Sequence, residues 1–136
     1  MITVGQDFRH KFIYTQNDVD MYAKVSGDTN PLHINPEAGK ASMFGRCIIH
    51  GFLGGSVFTK LFGTTLFGDG NVYMKQEMKF LRPMFTDVEY EAVITVQEIF
   101  PEKNRILYKT EVYNPATGEC TITGEALLMN KKQYVW

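Results

Sequence analysis

The run Asp28-Thr29-Asn30-Pro31-Leu32-His33 sets a carboxylate and an imidazole five positions apart, with a proline between them. In a helix, five residues turn through about 500°, which would leave the two side chains on different faces. Fully extended, they could lie roughly 17 Å apart. Only a turn brings them together, and Asp-Thr-Asn-Pro supplies one: Asp and Asn bond their own backbone, and Pro fixes φ. A carboxylate and an imidazole on one tight loop form a candidate acid/base pair. Further along, His50-Gly51 opens an apolar, glycine-rich stretch. A glycine at a helix N-terminus presents a free backbone N–H with no Cβ in front of it, a donor suited to a developing oxyanion.

Other chemistries find less support. Cys47-x-x-His50, with His33 and Asp28, offers possible zinc ligands, but the spacing lacks the paired pattern of structural zinc motifs, and no metal is expected. No phosphate-binding glycine loop or dinucleotide fingerprint is present.

The elements that must position these residues can be read from the same chain. An extended segment, Arg9 to Tyr14, leads to Thr15, which caps a helix with Asp18 three residues on. That helix runs to about Ser26, with Val19, Tyr22 and Val25 or Ser26 on its buried side, and Gly27 ends it. Residues 28 to about 46 read as a long irregular loop, and loops of that length in small domains are often functional. From His50 to about Phe62 the chain is apolar on nearly every side, which predicts a buried helix. The second half is strand-like. Val72, Met74, Gln76, Met78 and Phe80 alternate with Tyr73, Lys75, Glu77, Lys79 and Leu81. Val88–Phe100, Arg105–Tyr113 and Cys120–Met129 repeat the pattern between Pro-, Asn- and Gly-containing turns. Connections this short require antiparallel pairing. The fold class expected is therefore α+β: a curved antiparallel sheet wrapped around a central apolar helix.

The 136 residues, 44% hydrophobic and 21% charged, fit a single domain spanning 1–136 with a real core. A net charge of −1 gives no field for nucleic acid. No apolar run reaches the roughly 18 residues of a membrane-spanning helix, and the N-terminal segment lacks the regions of a signal peptide. Two cysteines, Cys47 and Cys120, do not make a disulfide framework, so a cytoplasmic protein is expected.

The run Tyr22-Ala23-Lys24-Val25-Ser26-Gly27-Asp28-Thr29-Asn30-Pro31-Leu32-His33, with Ala41 eight residues later and Ile48-Ile49-His50-Gly51 beyond, resembles the signature of (R)-specific enoyl-CoA hydratases. These are MaoC-like dehydratases of the hot-dog fold, and the resemblance extends over essentially the whole chain. It implies reversible syn hydration of trans-2-enoyl-CoA to (R)-3-hydroxyacyl-CoA. Asp28 would activate the water, His33 would orient it and share the proton transfer, and the Gly51 amide would polarise the thioester carbonyl. His50 would brace the loop. Asn30, Gly54, Gly55 and Thr59 are the expected substrate-binding positions; the two glycines would leave room for the acyl chain or a neighbouring helix, and Thr59 would carry a hydroxyl facing the site. No cofactor is implied, coenzyme A entering as part of the substrate. The partners implied are acyl-CoA or acyl-carrier-protein thioesters and a second copy in a homodimer or higher homo-oligomer. The rival readings are a 3-hydroxyacyl-ACP dehydratase, a hot-dog thioesterase and a non-catalytic acyl-CoA-binding module.

Overall fold

Thr15 starts the first helix through a complete capping box: its side chain accepts from the Asp18 N–H, and the Asp18 carboxylate accepts from the Thr15 N–H at 2.8 Å. The computed structural model, which describes residues 1–136, has strand β1 at Asp7–Ile13 and helix α1 at Gln16–Ser26. Gly27 closes α1 in the left-handed region at φ 80°, where glycine bears no Cβ penalty. Val19 and Ala23 are buried. Val25, expected on the covered side, is 88% exposed; it lies six residues after Val19, about 240° round the helix.

The segment 28–46 is less irregular than its composition suggests. It holds two short helices, α2 at Pro31–Ile34 and α3 at Pro36–Ala41. Each begins with an Asn-Pro pair. Asn30 and Asn35 accept from backbone N–H groups of the first turn, and proline takes the position where a missing N–H costs nothing.

Helix α4, Gly51–Gly63, buries Leu53, Val57, Phe58, Leu61 and Phe62. Its burial is not as complete as the all-round apolar pattern predicts: Phe52 is 66% exposed. The sheet has five strands rather than four, in the order β1-β3-β4-β5-β2, with β2 at Val72–Phe80, β3 at Glu89–Phe100, β4 at Arg105–Tyr113 and β5 at Cys120–Met129. All neighbours are antiparallel. The added strand is β1, which takes the edge beside β3.

Tyr90, Ala92, Ile94 and Val96 of β3 alternate inward with Ile106, Tyr108 and Val112 of β4 and Ile122, Ala126 and Leu128 of β5. They form one core with α4 and Val19 of α1, so the sheet wraps the helix as expected. Tyr108 and Tyr134 share a buried hydrogen bond of 2.9 Å between their hydroxyls, and burial pushes the Tyr134 hydroxyl up to about 12. Bulges at Tyr73/Lys75 and Val96/Glu98 add to the twist. The first also changes the phase of β2. Tyr73, instead of alternating with Gln76 and Met78, turns its ring onto Phe62 of α4, with centroids 5.4 Å apart.

Candidate active site

The Asp28–His33 loop is held from several directions. The Asn30 N–H donates to Asp28 Oδ1 at 3.2 Å, the Leu32 N–H to Asn30 Oδ1 at 3.0 Å, and the His33 N–H to the Asn30 carbonyl at 3.0 Å. From α1, the Gln16 amide donates to the His33 carbonyl at 3.0 Å. The turn that the sequence requires is therefore present, and it brings His33 Nε2 to 3.7 Å from Asp28 Oδ2.

The tautomers follow from the partners. His33 Nδ1 lies 2.8 Å from the Ile48 carbonyl, which can only accept, so Nδ1 carries hydrogen. In the neutral ring, Nε2 then offers its lone pair on the Asp28 side. His50 Nε2 lies 2.9 Å from the Asp28 carbonyl and donates to it. The His50 ring also stacks on His33, with centroids 3.8 Å apart, and meets Tyr22 edge-on at 4.9 Å. Buried at 3% exposure, it braces both halves of the pair, the backbone of Asp28 and the ring of His33. Asp28 itself is half-exposed, whereas the His33 side chain is 12% exposed. The carboxylate is open to water and the imidazole is fixed.

His50 also caps α4, whose first residue is Gly51. At that position the Gly51 N–H has no partner within the helix and carries the positive end of its dipole. A Cβ at Gly51 would lie 2.9 Å from Phe80 Cε1 and 3.0 Å from Cδ1, so the aromatic ring rests directly on the glycine. Both residues line an apolar cleft of about 300 Å³, together with Phe44, Ile48, Met84 and Ile122. The Ile49 N–H donates to the Met84 carbonyl at 2.8 Å and ties the two walls together. His50 belongs to this lining, while Asp28 and His33 stand beyond its ring.

Other expected positions fall elsewhere. Asn30 is exposed, and its side-chain oxygen is occupied as the cap of α2. Gly54 and Gly55 leave no open space: a Cβ at Gly54 would lie 2.8 Å from Met84 Sδ, and one at Gly55 would run into Met78 Sδ. The two glycines admit methionine side chains from the sheet. Thr59 is exposed and outside the cleft lining. The sequence places Phe80 in a strand and Met84 in the turn that follows, with nothing to mark either as lining the cleft, and the Ile48 carbonyl is invisible there, since a backbone acceptor leaves no mark in residue type.

Asp28, His33 and His50 offer donor atoms within 4.8 Å of one another. A metal lies in the plane of each imidazole that binds it, however, and these rings are stacked with 24° between their planes. Their lone pairs run side by side and do not converge on one point. Cys47 takes no part in the cluster, its thiol donating to the Asn35 carbonyl at 3.3 Å.

A curved antiparallel sheet around a helix, with a carboxylate and an imidazole facing each other near that helix's N-terminus, defines a domain of the hot-dog fold. The chain belongs to the MaoC-like family: the model described as "MaoC like domain" matches residues 2–118. It is 32% identical over 128 residues to an (R)-specific enoyl-CoA hydratase of Rhodospirillum rubrum, covering 94% of this chain and 88% of that one. It is 28% identical to a mitochondrial 3-hydroxyacyl-[acyl-carrier-protein] dehydratase of Arabidopsis thaliana, over 93% of this chain and 76% of the relative. The solved structure of an (R)-hydratase from Aeromonas caviae involved in PHA biosynthesis superposes with a TM-score of 0.90 at 32% identity, covering 95% of this chain and 97% of that one.

Proposed function

We propose that this protein is an (R)-specific enoyl-CoA hydratase, adding water reversibly across the double bond of a trans-2-enoyl-CoA to give the (R)-3-hydroxyacyl-CoA. The observation that carries this reading is the 3.7 Å separation of His33 Nε2 and Asp28 Oδ2, two acceptors facing each other at the edge of solvent. One water can lie within about 2.8 Å of both, donating a hydrogen to each. Its lone pair is then free to attack the β-carbon. As the C–O bond forms, one hydrogen passes to the pair and the π electrons move onto the thioester oxygen, where the Gly51 N–H stabilises the enolate charge. The pair returns the proton to the α-carbon from the same face, which makes the addition syn. Hydroxyl and hydrogen both come from the water. The step consumes no redox equivalent, so the residues named suffice without a cofactor.

Coenzyme A is the favoured carrier because the relatives at 32% identity are enoyl-CoA hydratases. Strand β2 forms a sheet edge with Val72, Met74 and Phe80 exposed at 48%, 43% and 49%, and Phe52 of α4 stands beside it. An apolar, unpaired edge of this kind suits a second copy, so the working form is a homodimer. The free thiols Cys47 and Cys120 fit a reducing, cytoplasmic setting.

The test is incubation of the purified protein with crotonyl-CoA, with light scattering on the same sample. Loss of the conjugated-thioester absorbance, accumulation of the (R)-3-hydroxy product and a mass twice 15.5 kDa are expected. Free coenzyme A thiol would indicate a thioesterase instead, and saturable binding without turnover would indicate a binding module. A mass of one chain would refute the dimer.

A further inference from the structure

The hydrogen of the neutral His33 ring is contested from both sides. The Ile48 carbonyl lies 2.8 Å from Nδ1, and the Asp28 carboxylate lies 3.7 Å from Nε2. Both groups only accept, and a neutral imidazole has one N–H to give. The carboxylate is charged and the stronger acceptor, so the carbonyl prevails only by being nearer. Were the Ile48 carbonyl to recede, the hydrogen would move to Nε2 and point at Asp28. The water between the pair would then lose one of its two acceptors.

Whatever holds residue 48 in place therefore acts on the chemistry. Two of the contacts here run back to the loop that carries His33. The Ile48 N–H makes a long bond of 3.3 Å to the Leu32 carbonyl, and the Cys47 thiol, a weak donor, meets the Asn35 carbonyl at 3.3 Å. The other two reach across to the turn between β2 and β3. The Ile49 N–H donates to the Met84 carbonyl at 2.8 Å. Arg46 Nη2 donates to the Thr86 carbonyl at 3.0 Å and lies 3.4 Å from Thr86 Oγ1. The Arg46 guanidinium also lies over the Phe85 ring, 4.9 Å from its centroid. That platform is firm: Thr86 is buried, and the Phe85 N–H donates to the Tyr90 hydroxyl at 2.8 Å. Arg46 supplies the charged anchor of the set, and charge-assisted hydrogen bonds are about twice as strong as neutral ones. Its planar head can bond and stack at once.

We infer that Arg46 is a positioning residue: it pins residues 46–49 to the β2–β3 turn and so holds the Ile48 carbonyl that sets the His33 tautomer. Its effect on rate rests on the hydratase reading above, whereas its effect on the tautomer does not.

The experiment records nitrogen NMR of the histidine rings in alkaline buffer, where imidazole is neutral. Beside it, kcat and KM for crotonyl-CoA are measured in wild type, Arg46→Ala, Arg46→Lys and Arg9→Ala. Arg9, paired with Glu91 at 3.1 Å across β1 and β3, is the control. His33 should carry its hydrogen on Nδ1 in wild type and Arg9→Ala and shift toward Nε2–H in Arg46→Ala. In Arg46→Ala, kcat should fall by about 10²-fold with KM little changed, the loss that a small misplacement of a reacting group can cause. Arg46→Lys should restore little of either, because it keeps the charge but neither the fork nor the flat face. A His33 ring still wholly Nδ1–H in folded Arg46→Ala, or kcat within a few-fold of wild type, overturns the assignment. So does a rise in KM at unchanged kcat, which would make Arg46 a contact for the coenzyme's phosphates. Should Arg46→Ala unfold at the assay temperature, Arg46→Lys decides by the same readings. A wild type that leaves crotonyl-CoA intact overturns the hydratase reading, and the tautomers alone then decide for or against Arg46.

Discussion

Asp28→Asn is expected to lower kcat for crotonyl-CoA hydration by about 10²- to 10⁴-fold, the span that a positioned acid/base group contributes. The substitution keeps the shape of the side chain. It also keeps an oxygen able to accept from the Asn30 N–H, which Asp28 Oδ1 now receives at 3.2 Å. It removes the negative charge and one of the two acceptors that share the water with His33 Nε2. The loop stays anchored, because His50 grips the backbone carbonyl of residue 28 and not its side chain. Circular dichroism and melting temperature should therefore match the wild type while turnover falls. A variant retaining activity within a few-fold would remove Asp28 from the chemistry.

The second large effect is expected at Gly51. Replacement by alanine puts a methyl group 2.9 Å from the Phe80 ring, closer than carbon atoms pack, so the ring must move. Phe80 is half-exposed and can swing, but it stands in the lining of the cleft, and the new methyl also faces the approach to the amide. Alanine keeps the N–H but obstructs it, and losing the use of one oxyanion donor typically costs 10²- to 10³-fold in rate. Gly51→Ala should show that fall mainly in kcat, since charge on the thioester oxygen develops in the transition state. Alanine is the better helix former, so stability should hold or rise slightly. Steady-state kinetics beside a melting curve separates the cases. Equal losses of activity and stability would mean that Gly51 is a packing glycine and no more.

The sequence made the pair at Asp28 and His33 legible because the chemistry of a proline turn is local: Asp, Asn and Pro each act on the backbone within a few residues. Helix α1 was legible for the same reason, with Thr15, Asp18 and Gly27 writing its two ends. The short helices α2 and α3 carried a signal in their Asn-Pro starts, but single turns have too few residues for a periodic pattern. What could not be read was tertiary. The hydrogen bond from His50 to the Asp28 carbonyl spans 22 positions. The filling of the Gly54 and Gly55 notches depends on which sheet residues lie over them, and those come from Met84 and Met78 far along the chain. Thr59, placed by its helical spacing from Gly51, lies two turns along α4, exposed on the single chain and outside the cleft lining.

The most direct measurement is hydration of crotonyl-CoA by the wild-type protein in D₂O, followed by NMR of the 3-hydroxybutyryl product. One acid/base pair working from one face should give the (R)-alcohol with a single deuterium at C2, added syn to the hydroxyl. Anti addition would require a second proton donor on the opposite face and would contradict the roles given to Asp28 and His33. An enoyl-CoA left intact, in protein shown to be folded, would contradict the activity itself.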